Sequence, residues 1–191
     1  RIRSIRTSER RIWQQITDIF AECSIDYDKN SDITDRFYAT VQNKFHYAIT
    51  GNTAAEIVYK RVDSTKENMG LTTWENSPDG KILKSDVIIA KNYLNEQEIK
   101  NLNNLVNLFL DIAENNAERS ITMYMEDWKD EVENALKVFH YEVLQGKGKI
   151  SHKQAVEKAE NEYEKYKVIQ DKNYVSDFDR LLSETKQIEN K

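Results

Sequence analysis

Cysteine occurs once, at Cys23, so no disulfide can close within the chain, which fits a reducing compartment. Proline also occurs once, at Pro78, and glycine only five times. Breakers this scarce, set among many Glu, Lys, Asn and Leu, point to long helices. No apolar run approaches the length of a membrane span, so no membrane partner is expected. No Walker-type loop, Gly-rich dinucleotide turn or nucleophile elbow occurs. Net charge is −5, which excludes a uniformly basic nucleic-acid surface. The three histidines, His46, His140 and His152, fall on different expected helices without an i, i+4 partner or a nearby cysteine. No metal site is expected from them, and His140 and His152 read as structural or exposed.

What is present suits a helical domain. The chain has 191 residues, 39% hydrophobic and 32% charged, enough to build one real core. Arginines gather at Arg1, Arg3, Arg6, Arg10 and Arg11, and acids at Glu126, Asp127, Asp130, Glu131 and Glu133. Both groups read as solvated helix faces.

Apolar spacing sets out the helices. Ile2, Ile5, Ile12, Ile16 and Ile19 predict an amphipathic helix over Arg1 to Glu22, able to pair as a short coiled coil. Ser31 and Asp32 open a second helix with a Phe37, Val41, Phe45, Ala48 stripe that ends near Gly51. A third runs from Thr53 to about Val62. Asp63 to Lys84 is a long irregular stretch, functional or mobile by its length, with Trp74 as its core anchor. Ser85 or Asp86 is expected to cap a short helix through Ala90. Asn95 and Glu98 cap a long helix whose apolar face (Ile99, Leu102, Leu105, Val106, Phe109, Leu110, Ala113) belongs at the centre of the domain. Another helix is expected from Thr122 to about Leu144, broken by Gly146 and Gly148. Ser151 and Gln154 cap the next, and Val175 to Ile188 suggest one more. The expectation is an all-α fold: a single domain, 1–191, of about six to eight helices around a central hydrophobic helix.

The densest local signal is Phe45-His-Tyr-Ala-Ile-Thr-Gly-Asn-Thr-Ala-Ala-Glu56. It reads as a helix end, a glycine stop and a capping box, Thr53 with Glu56. Two readings stay open. A helix N-terminus can hold an anion, and an imidazole beside it can move a proton. Alternatively this is an ordinary αα-corner, with His46 a partly buried ring making one hydrogen bond.

Longer stretches carry a resemblance. Ser24-Ile-Asp-Tyr-Asp28, Phe37 to Gly51, Thr53-Ala-Ala-Glu56, Asn68-Met-Gly-Leu-Thr-Thr-Trp74, Lys84-Ser-Asp-Val87, Ala90-Lys-Asn-Tyr-Leu94 and Gly148-Lys-Ile-Ser151 resemble the C-terminal region of the bacterial virulence-associated RhuM family. Glu98-Ile99, Leu102-Asn103, Met125 and Asp127-Trp128 extend it. In that family a helix-turn-helix-like segment typically precedes this region. The resemblance therefore implies that the chain, which starts at Arg1 in mid-pattern, is a piece of a longer protein. Any DNA contact would run through a missing N-terminal segment, and a bacterial cytoplasmic location, or secretion, would follow.

A second resemblance lies inside the first. His46, Gly51 and Asn52 match positions of the Fic motif, His-Pro-Phe-x-Asp/Glu-Gly-Asn-Gly-Arg. It implies a general base at His46 and anion or nucleotide contacts at Gly51, Asn52 and Thr53, with a nucleotide and magnesium as cofactors. The motif is degenerate: Tyr47, Ala48, Thr50, Thr53 and Ala54 replace Pro, Phe, the metal-holding acid, Gly and the phosphate-clamping Arg. Those losses remove most of the charge stabilisation that nucleotidyl transfer needs. Three classes of function are thus in play. One is an interaction or oligomerisation module, working with a protein partner or as a homodimer. A second is a degenerate Fic-like nucleotide binder or transferase, and a third is an effector acting by contact. The first is favoured because the chemistry of the second is mostly missing.

Overall fold

The computed structural model describes residue 21 and residues 24–173. The expected Arg1 to Glu22 helix, residue 21 apart, and the expected last helix lie outside the residues so described. Among the described residues the fold is all-helical: five α-helices and two short 3-10 turns, with no named strand.

Helix α1 (Asp32–Thr50) starts and stops where the sequence placed it. The Ser31 hydroxyl accepts the Thr34 N–H at 3.2 Å, and Asp32 and Asp35 set negative charge at the positive end of the helix dipole. Gly51, at φ 68, turns the chain left-handed while its N–H returns to the Tyr47 carbonyl at 2.8 Å. Phe37, Val41 and Phe45, four residues apart, bury one stripe. Helix α2 (Ala54–Arg61) follows after Gly51, Asn52 and Thr53, the last being its N-cap. It buries Ile57 and Val58, with Val62 behind them.

The next thirty-odd residues are irregular but not loose. Gly70 has φ +80, and a Cβ there would stand 2.5 Å from the Arg61 carbonyl oxygen, so only glycine fits. Trp74 is buried and its indole N–H donates to the Gly80 carbonyl at 2.7 Å. Instead of capping a helix, the buried Asp86 carboxylate reaches backward. It accepts the N–H groups of Glu75 and Leu83 at 2.9 and 2.8 Å. This corrects the expected helix over residues 86–90. With Asp86 committed to two upstream donors, residues 84–88 form turns, and a 3-10 turn spans Ala90–Tyr93 instead.

Helix α3 (Glu96–Glu118) starts on the expected pair: Asn95 and Glu98 exchange bonds of 2.9 and 2.8 Å. Glu98 also takes the Arg61 guanidinium as a fork, 2.7 and 2.6 Å, while Arg61 donates to the Tyr93 carbonyl as well. One ion pair thereby joins the end of α2 to the start of α3, with each charge on the favourable pole of its helix. Helix α4 (Met125–Val138) is shorter than the expected Thr122 to Leu144. The Asp127 carboxylate accepts the Tyr124 N–H at 2.8 Å and fixes the start, while His140, at φ 58, lies beyond the end. Trp128, Val132 and Leu136 are buried. Helix α5 (His152–Asn173) starts on the expected Ser151–Gln154 box.

Among the described residues, α1 packs against α2, α3 and α4, so it takes the central place that the sequence suggested for α3. Helix α5 lies along α2, burying Ala155, Ala159 and Tyr163. Lys158 donates to the Tyr59 carbonyl at 2.6 Å and sits 4.5 Å over the Tyr59 ring. No helix among the described residues is long and apolar enough to cross a membrane.

Candidate functional site

The corner between α1 and α2 is built from its own side chains. The Thr50 hydroxyl donates to the His46 carbonyl at 2.8 Å and accepts the Asn52 N–H at 3.1 Å. The Asn52 amide donates to the Thr50 carbonyl at 2.7 Å, and its oxygen accepts from Lys60. Thr53 is buried; its N–H goes to Glu56 at 2.8 Å and its hydroxyl accepts the Glu56 N–H at 3.3 Å. The Ala54 N–H donates to the Asn43 side chain at 3.1 Å. The N–H groups of Gly51, Asn52, Thr53, Ala54 and Glu56 thus all have partners within the chain. Thr50, at the position of the motif's metal-holding acid, is turned back onto the helix.

His46 is 1% exposed. Its Nδ1 lies 2.8 Å from the Gln42 carbonyl one turn earlier, which places the ring proton on Nδ1 and leaves Nε2 as the basic nitrogen. His46 lines a pocket of about 220 Å³. Ala54 and Ala55, the first residues of α2, form one wall, so the imidazole and the start of α2 do share a cavity.

The other walls come from far along the chain. Besides His46, the polar residues of the lining are Lys91, His152 and Gln42. Val58, Ala90, Ala155 and Val156 supply apolar surface, and Ile88 and Ile89, partly exposed, complete the lining. A concave, mainly apolar space with a few convergent polar groups is the usual form of a small-ligand site.

The Lys91 wall is a clamped turn. The Asp86 carbonyl accepts the Asn92 side-chain amide at 2.9 Å and the Ile89 N–H at 3.3 Å, and the Tyr93 hydroxyl donates to the Val87 carbonyl at 2.7 Å. Burial, and then the nearby Asp86 charge, push the Tyr93 phenol well above its ordinary value and keep it a donor. The His152 wall is the first turn of α5. Sequence reasoning singled out His46 and the Gly51–Thr53 turn. It passed over Gln42 and Lys91 and read His152 as structural or exposed. The usable signal was that the Ala90-Lys91 and Lys149-Ile-Ser151 matches flank this cavity. Among the described residues no three of His, Cys, Asp and Glu gather as a metal set.

A family model, the virulence protein RhuM family, matches residues 1–175. The chain therefore belongs to that family. No curated protein and no solved structure matches it.

Proposed function

We propose, with RhuM-family membership as the premise, that this domain is a ligand-responsive interaction module serving an N-terminal DNA-binding segment. Its pocket holds the phosphate-bearing part of a nucleotide-type ligand without turning it over. One observation carries the reading: His46, Lys91 and His152 converge on a single cavity flanked by the first turns of α2 and α5. The Lys91 charge and two positive helix poles favour an anion. Contact with the ligand runs through the pocket face, and Gly51, Asn52 and Thr53 contribute as the corner that positions the wall. The acid and arginine of the Fic motif are Thr50 and Ala54 here, so the reading derives no metal step and assigns His46 to binding ahead of base catalysis.

An interaction role is supported by Val138 and Phe139, an exposed apolar pair at the end of α4. Millimolar AMP or inorganic phosphate is expected to raise the melting temperature, and His152→Ala or Lys91→Ala to abolish the rise. An unchanged melting temperature in the wild type contradicts the proposal.

A further inference from the structure

We infer that Glu56 is the positioning residue of this pocket: it fastens the strap leading into α5 onto the start of α2 and so sets where the His152 imidazole stands. The inference rests on the ligand reading above.

A capping box asks one carboxylate oxygen to accept one N–H. Glu56 does this with Oε2, which takes the Thr53 N–H at 2.8 Å. Its other oxygen, Oε1, takes the Lys149 N–H, also at 2.8 Å, from a residue 93 positions away. In an isolated capping box that second oxygen would face water. Burial pushes the carboxyl up, but the N–H groups of Thr53 and Lys149 outweigh it and hold the group below its ordinary value.

The strap is shaped to reach this oxygen. Gly148 has φ +80, and a Cβ there would lie 2.7 Å from the Thr53 methyl, 3.0 Å from its hydroxyl and 3.4 Å from the Glu56 carboxyl carbon. Any side chain would lift the strap off the corner. Two residues after Lys149, Ser151 caps α5, and His152 is the first residue of that helix. The carboxylate therefore locks together the two helix starts that supply Ala54, Ala55 and His152 to the cavity. Glutamine cannot substitute. It has one acceptor oxygen and would present an NH₂ to one of the two backbone donors.

The experiment uses Glu56→Gln and Gly148→Ala in the full chain, which loosen the same contact from opposite sides. Two readouts are taken: affinity for AMP by calorimetry, and amide exchange of residues 150–156 compared with that of α4. Each variant is expected to lose about tenfold in affinity, and the double variant little more, because the link is already cut. Exchange over 150–156 is expected to rise about tenfold with α4 unchanged. Equal loosening of α4, meaning general destabilisation, overturns the inference, and so does wild-type affinity in a variant whose strap has loosened. If the wild type binds neither phosphate nor AMP, the ligand reading fails by itself. Exchange then decides the tie: local loosening supports it, and uniform or unchanged exchange overturns it.

Discussion

The corner around Gly51 and the stretch from Asp63 to Leu94 are neighbours in sequence and opposites in construction. Apart from the Glu56–Lys149 tie, the corner is made mostly of short-range bonds: Gly51 to Tyr47 and Thr53 to Glu56. Each follows from residue type and spacing of three or four. The later stretch is made of bonds that skip along the chain: Asp86 to Glu75, Asn92 to Thr72 and Thr73, Ile82 to Gln170. Nothing in the local order of residues forecasts those pairs. Yet the second region is as well tied as the first, with Trp74, Ile82, Asp86, Val87 and Asn92 all buried. Irregular backbone here means non-local bonding, not slack.

That contrast can be broken by substitution. Asp86→Ala leaves the Glu75 and Leu83 N–H groups without their acceptor, and the expected loss of unfolding free energy is about 2–4 kcal/mol by urea titration. Thr53→Ala removes one N-cap from the corner and is expected to cost about 1–2 kcal/mol in the same assay. If the order were reversed, the corner and not the irregular stretch would be the stiffer half.

A smaller effect sharpens the comparison through pH. The Arg61 guanidinium holds the Glu98 carboxyl below its ordinary value, Lys44 does the same for Glu133, and Lys165 and Ser64 lower Glu162 to about 2. A lowered folded-state value contributes stability above the unfolded value, and that contribution fades as acid protonates the group. The melting temperature is therefore expected to fall as pH drops from about 5 towards about 2. Arg61→Gln should flatten that slope by removing the Glu98 share. A slope unchanged in the variant would mean that the Arg61–Glu98 fork contributes nothing.

Legibility in the sequence follows the same division. Four helix starts (Ser31, Thr53, Asn95 and Ser151) were readable because a cap and its partner sit within three residues. The short helix expected at 86–90 was misread for the converse reason: Asp86 has the chemistry of a cap, but its partners lie upstream. Half of the pocket was visible for the same cause. His46 and the start of α2 belong to one local motif. Lys91 and His152 line the cavity from positions far along the chain, and no local motif links either of them to His46.

Titration of the ¹⁵N-labelled chain with AMP is the most direct trial of the account. Amide shifts are expected to concentrate at Ala54, Ala55, Lys91 and His152 and to saturate together. Shifts confined to Gly51 and Asn52, or scattered over the surface without saturation, would contradict it.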